Sequence, residues 1–236
     1  MRTLLKLSGE ALPALTNPSK EEQAIMARIA EEIHQAHTEK HEIAIVVGGG
    51  NIFRGSDGIK RGMTETTADL IGMLATLQNG LVLQDLLEGS GLKTRLMTGL
   101  MVNQAAEQYI VRRATRHLEK GRIVILGGGT GNGGCTTDYA AALRGSEIRA
   151  EWVAKATTTD GVYDKDPKKH PDAKKFERVS YGRCIRDDLN VMDTAAFALC
   201  REKKIPIRVF SLDTPGNVYA ALTGKDVGTV VSDYGD

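Results

Sequence analysis

Short apolar runs alternate along this chain with longer stretches in which apolar positions recur every three or four residues. "TLLKL" (3–7) ends at Ser8-Gly9 and reads as a buried strand closed by a tight turn. In "NPSKEEQAIMARIAEEIHQAH", Ser19 and Glu22 have the spacing of a capping box, and Ile25, Ile29 and Ile33 mark one helical face. The β-branched "EIAIVV" (42–47) stops at Gly48-Gly49-Gly50-Asn51. The spacing predicts a helix over 66–87, with Leu70, Leu74, Leu77 and Leu81 facing the core. "KTRLM" (93–97) is a weaker strand, and "NQAAEQYIVRRATRHLEKG" (103–121) reads as a helix closed by Gly121. "IVIL" runs into "GGGTGNGG", after which "TTDYAAALRG" opens another helix. "EWVAKA" is a strand feeding the polar "TTTDGVYDKDPKKHPDAKK". A helix over 187–203, the strand "IPIRVF" and a short helix after Pro215 complete the pattern.

Strand and helix alternate throughout, which predicts an α/β fold: a mostly parallel open sheet with helices on both faces. No composition break divides residues 1–236, so a single domain is expected, with 164–175 as a surface loop.

Composition adds mainly exclusions. The 236 residues are 41% apolar and 26% charged, with a formal net charge of +1, so nothing draws the chain toward nucleic acid or an anionic membrane. No apolar run is read as spanning a bilayer, which needs about 20 residues. Met1 leads straight into a strand and no secretory signal is read, so a cytoplasmic location is expected. Cys135, Cys184 and Cys200 lack C-x-x-C spacing and the five histidines form no H-E-x-x-H pair, so no protein-built metal site is expected. Any metal would be a hard cation held by oxygen and phosphate.

Three strands end in glycine turns: Ser8-Gly9, Gly48 to Asn51, and Gly127 to Gly134. In a parallel sheet these ends share one edge, where ligands bind, and glycine lets backbone amides approach a phosphate. Gly129, Gly131 and Gly134 also make a G-x-G-x-x-G. A dinucleotide site would need an acid closing the next strand about 20 residues on; Glu151 opens that strand instead. There is no G-x-x-x-x-G-K-[ST] either. Phosphoryl transfer fits better, since it needs amides, cations reaching the migrating group and an acid to orient them. Lys6, Lys155, Arg54, Asp138 and Asp69 stand beside the turns. Each also has a plainer reading, as a rim charge, a loop charge or a helix-start acid.

Together "KLSGEAL" (6–12), "VVGGGNIFRG" (46–55), "GMLATLQNGL" (72–81), "GTGNGGCTTDYAAALRGSEI" (129–148), "KATTTDGVYDKDP" (155–167) and "VMDTAAFALC…IPIRVF" (191–210) closely resemble the bacterial uridylate (UMP) kinases of the amino acid kinase superfamily. The resemblance implies a three-layer αβα sandwich, the amino acid kinase fold, that moves the ATP γ-phosphoryl to UMP with Mg²⁺. It implies ATP binding by Lys6, Leu7, Ser8, Gly9, Gly50, Arg54, Thr157, Tyr163 and Asp166. It implies UMP binding by Gly49, Asp69, Thr130, Gly131, Asn132, Gly133, Gly134, Cys135, Thr136 and Thr137. Lys6 and Lys155 would neutralise transition-state charge and Asp138 would orient them; Asp160 and Asp193 match family acids without an assigned role. Hexamers, with GTP activating and UTP inhibiting, are implied as well.

The chain departs from that family at three places. Gly133-Gly134-Cys135 stands where Pro and two aromatic residues are usual, which predicts a roomier, more mobile acceptor wall. "PALTNPSKEEQ" follows Leu12 in place of a glycine-rich stretch, and Thr159 replaces an aliphatic residue. A nucleotide sensor or storage protein without transfer activity, and a relative with a carboxylate or carbamate acceptor, are the competing readings.

Overall fold

A computed structural model describes residues 1–9, 12, 18–189 and 191–234; Glu10, Ala11 and the 13–17 part of the departure after Leu12 lie outside the described residues. The strands are β1 (Arg2–Leu7), β2 (Glu42–Val47), β3 (Thr94–Thr98), β4 (Glu107–Gln108), β5 (Ile123–Gly127), β6 (Trp152–Thr157), β7 (Arg178–Ser180), β8 (Ile207–Ser211) and β9 (Thr229–Ser232). The helices are α1 (Lys20–Thr38), α2 (Gly55–Lys60), α3 (Glu65–Gly89), α4 (Val111–Glu119), α5 (Thr137–Glu147), α6 (Tyr181–Arg186), α7 (Thr194–Lys203) and α8 (Asn217–Thr223). All nine strands form one sheet in the order β4-β3-β5-β2-β1-β6-β8-β9-β7, parallel except at the β8–β9 pair.

Alternation along the central strands sorts two cores. Leu4, Ala44, Val46, Val124 and Val153 face α4, α5 and α7, where Ala114, Ala141 and Phe197 are buried. Leu5, Leu7, Ile43, Ile45 and Ala154 face α1, α3 and α8, meeting Ile29, Ile33, Leu83 and Val218. The capping box forms as read: the Ser19 hydroxyl accepts from Glu22 N, and the Glu22 carboxylate accepts from Ser19 N. The middle of α1 is tied to α8 by Glu32, buried, whose carboxylate accepts from the amides of Gly216, Val218 and Tyr219 and from Arg28. It thereby serves the orphan donors of a helix whose own N-cap glycine has no side chain.

Several expectations need correcting. The helix read over 103–121 begins only at Val111, because Glu107 and Gln108 extend the sheet beside Met97 and Thr98 and Tyr109 N donates to Thr98 O. Its closure at Gly121, φ +64, is as read. The helix read over 187–203 begins only at Thr194: α6 closes at Arg186, before that stretch, and Asp193 caps α7 through Ala196 N. The length of α3 was read correctly, but not its orientation. Leu77 is buried whereas Leu70, Leu74 and Leu81 are 46%, 38% and 40% exposed. The helix instead presents Ala68, Ala75, Thr76, Asn79 and Gly80 to the sheet. A Cβ on Gly80 would come within 2.7 Å of Leu96, so a small residue is what allows that approach. Contrary to the reading that no apolar run could span a bilayer, α3 is long and apolar enough to do so. Its inward polar groups serve the fold, however: Asn79 donates to Gly48 O and Thr76 accepts from Gly128 N.

Candidate active site

Parallel pairing of β5, β2, β1 and β6 brings their C-terminal ends to one rim, and all three glycine turns meet there. The first two are in backbone contact. A Cβ on Gly9 would lie 2.4 Å from Gly50 N, and one on Gly48 would lie 2.3 Å from Gly9 N. Only residues without a Cβ can be packed so closely. The third turn is joined to the second through Thr76 on α3. Its hydroxyl accepts from Gly128 N at 2.7 Å, and its amide lies 3.0 Å from where a Cβ on Gly49 would stand.

Lys6 and Lys155 occupy matched positions on adjacent strands and share the facing of Leu4 and Val153, toward α5. Asp138, in the first turn of α5, receives both: Lys6 Nζ is 2.9 Å from Oδ1, and Lys155 Nζ donates to Oδ2 at 2.6 Å. Lys6 also donates to the Ser8 hydroxyl at 3.1 Å, and Lys155 to the carbonyl of Val191. All three side chains are largely buried, at 7%, 8% and 14% exposure. Burial alone would raise the Asp138 carboxyl, but the Lys6 and Lys155 ammonium groups outweigh it and hold it below the ordinary carboxylate value. Burial pushes Lys155 down, assisted by the nearby Lys6 charge and opposed by Asp138 and Asp193. Two ammonium groups with one carboxylate between them leave a net positive pair facing the rim, suited to a multiply charged phosphate.

A cavity of about 790 Å³ opens over this cluster. Lys6, Ser8, Gly9, Gly49, Gly50, Thr137, Asp138, Lys155, Thr157, Tyr163 and Asp166 line it, so these expected residues are brought together. Leu7 is fully buried and reaches the site only through its carbonyl, which accepts from Gly48 N. Arg54 does not line the cavity; it is exposed at the N-cap of α2. The expected acceptor residues form an adjoining wall. Asp69 Oδ2 accepts from Gly134 N at 2.6 Å, Thr130 and Asn132 bond within their turn, and Cys135 is exposed. Thr136 caps α5 by accepting from Tyr139 N and donates to Asp193.

Several residues at the site were not singled out from the sequence. Lys165, Lys168 and Asp188 line the cavity from the polar segment and from the turn after α6. Arg144 holds the third turn from below, donating to Thr130 O at 3.1 Å while stacked over Tyr109 and paired with Glu147. Its place in a helix interior, bracketed by an acid three residues on, reads in sequence as an ordinary surface pair. Asp160 is engaged by Tyr163 and Lys175, whose hydrogen bonds hold its carboxyl below the ordinary value.

A family model described as "Amino acid kinase family" matches residues 1–211. Among solved structures, a UMP kinase from Bacillus anthracis is similar at 38% identity and a TM-score of 0.92, over 99% of this chain and 96% of that one. A UMP kinase from Ureaplasma parvum is similar at 32% identity and a TM-score of 0.88, over 98% of each chain. A uridylate kinase from Archaeoglobus fulgidus is similar at 29% identity and a TM-score of 0.77, over 98% of this chain and all of that one.

Proposed function

Because the chain belongs to the amino acid kinase family, we propose that it transfers the γ-phosphoryl group of ATP to UMP, giving UDP and ADP. The Lys6–Asp138–Lys155 cluster beneath the glycine rim carries this reading, and similarity to UMP kinases along nearly the whole chain supports the acceptor. ATP lies in the large cavity, its phosphates against the amides of Ser8, Gly9 and Gly50 and its base toward Thr157, Tyr163 and Asp166. Arg54 and the backbone of Leu7 complete the donor side. UMP lies along Gly49, Asp69 and the turn from Thr130 to Thr137. Lys6 and Lys155 neutralise charge building on the migrating phosphoryl group, while Asp138 keeps both ammonium groups aimed at it.

Among the described residues no three His, Cys, Asp or Glu side chains converge on one point. That donor set fits Mg²⁺ carried chiefly by the donor phosphates; when bound it supplies charge neutralisation between them. Residues 1–236 act as one domain, a reading supported by the single continuous sheet. We place the protein in the cytoplasm, supported by its three cysteines, none of which forms a disulfide among the described residues. Assembly as a homohexamer, with GTP and UTP as effectors, belongs to the same reading. The association, though not the effector response, is supported by the exposed apolar stripe of Leu70, Leu74 and Leu81 on α3, with Ile52 and Ile59 also exposed in the segment just before that helix.

The test is a coupled assay with ATP, Mg²⁺ and each nucleoside monophosphate, with and without GTP and UTP. UMP is expected as the preferred acceptor. A preference for CMP or AMP overturns the acceptor assignment, and tight binding of ATP and UMP without UDP turns the protein into a nucleotide sensor.

A further inference from the structure

The N-termini of α5 and α7 are joined side chain to side chain, and both serve the lysine cluster. Thr136 Oγ1 accepts from Tyr139 N at 3.0 Å, capping α5, and donates its own proton to Asp193 Oδ2. Asp193 Oδ1 accepts from Ala196 N at 2.8 Å, capping α7. Each residue therefore finishes its own helix and grips the other. Two residues beyond Thr136 stands Asp138, which receives both ammonium groups; two residues before Asp193 stands Val191, whose carbonyl receives Lys155 Nζ. Lys155 is thus held between two chain segments that the Thr136–Asp193 contact joins side chain to side chain.

Building on the phosphoryl-transfer reading, we infer that Thr136 and Asp193 are a pair of positioning residues that fix Asp138 and Lys155 relative to the migrating phosphoryl group. The pair gives a role to Asp193, an acid that family motifs left without one, and shows that the Thr136 hydroxyl, expected at the acceptor, is engaged with Tyr139 N and Asp193. It also couples the acceptor turn to the cluster, since Thr136 ends the glycine-rich loop. Small displacements matter here, because misplacing a reacting group by 1 Å costs on the order of 100-fold in rate. The charged groups facing Lys155 are Asp138 from α5, Lys6 from β1 and Asp193 from the α7 cap.

Asp193→Asn tests the pair while keeping a good helix cap, so the fold is retained; Thr136→Val removes the hydroxyl and Thr136→Ser restores it. For Asp193→Asn and Thr136→Val, kcat should fall about tenfold or more while KM for ATP changes less than about twofold, and the double variant should be no slower than the slower single one. Thr136→Ser should recover kcat. A wild-type kcat in Asp193→Asn, or single effects that multiply in the double variant, overturns the inference. A second readout needs no turnover: titration of Lys155 by NMR of 13Cε-labelled lysine. Thr136 carries no charge and does not touch Lys155, so a moved midpoint in Thr136→Val, reversed in Thr136→Ser, reports geometry alone; an unmoved midpoint overturns the pairing. If the wild type makes no UDP, the functional reading fails while the NMR comparison still decides the pair.

Discussion

Lys6 and Lys155 are register partners on neighbouring parallel strands, so two ammonium groups leave the same face of the sheet at the same height and share one carboxylate, Asp138. Like charges side by side in a largely buried site persist only because that carboxylate stands between them. Asp138→Asn should therefore lower kcat by about 10²–10³, with the loss seen in kcat more than in KM.

The same pair sets a pH dependence. Lys155 is held below the ordinary lysine value of 10.5 by burial and by Lys6. Between its folded value and 10.5 the unfolded chain binds more protons, so the Lys155 contribution to stability rises with pH in that window. Activity runs the other way, because a neutral Lys155 no longer offsets phosphate charge. The alkaline fall in kcat should begin below pH 10.5 while urea stability has not yet declined. A plateau in kcat that extends past 10.5 would remove Lys155 from its role. At the acid end, Asp138 lies below its ordinary 3.8, so its stabilising contribution is present above that value and disappears as pH falls through the folded one.

Gly9→Ala tests the rim. The new methyl would stand 2.4 Å from Gly50 N and 2.8 Å from Gly49 N, both backbone atoms that cannot swing aside. The first two turns must separate, which costs roughly 1–3 kcal/mol of stability. KM for ATP should rise at least tenfold (about 1.4 kcal/mol), and KM for UMP by much less; steady-state kinetics with each substrate varied distinguishes the two.

The acceptor loop can be probed by restoring Pro-Phe-Phe at 133–135. Gly134 has φ +72, a conformation that costs a side-chain-bearing residue about 1–2 kcal/mol. The loop must therefore refold locally, breaking the Gly134 N to Asp69 contact and freeing that carboxylate for the acceptor. KM for UMP should fall severalfold; an unchanged or higher value would show that the chain has compensated elsewhere.

How much of this could be read from residues alone depended on what competed locally. The glycine turns, Lys6, Asp138 and Lys155 were legible as neighbours because three glycine turns together are more telling than one and because the C-terminal ends of parallel strands share one edge; the register pairing of Lys6 with Lys155 was not. Leu70, Leu74 and Leu81 were read as core, yet α3 approaches the sheet through Ala75, Thr76 and Gly80. A helix that is apolar nearly all round does not declare which side its own chain will cover. The 103–110 stretch has helical composition, but pairing with β3 overrides local propensity. The Thr136–Asp193 contact spans 57 positions and could not be anticipated from either residue's neighbours.

That misread stripe yields a prediction of its own. Leu74→Lys together with Leu81→Lys places two charges on the exposed face of α3, 38% and 40% accessible in the isolated chain. Sedimentation velocity should show the wild type as a larger assembly and the double variant shifted toward monomer, with far-ultraviolet circular dichroism unchanged. A wild type that sediments as a monomer removes that face from any role in association.

The position of β1 in the middle of the sheet also bears on synthesis. Its residues 3–7 lie against 43–47 on one side and 152–156 on the other. A ribosome adding about 5–20 residues per second needs on the order of ten seconds between making Lys6 and making Lys155. During that interval one flank of the nascent sheet stays open and the nucleotide pocket does not yet exist. Translation, and not only thermodynamics, therefore exposes this strand to wrong partners, which makes the early β1–β2 pairing and the docking of α1 the natural shelter for a polypeptide still being made.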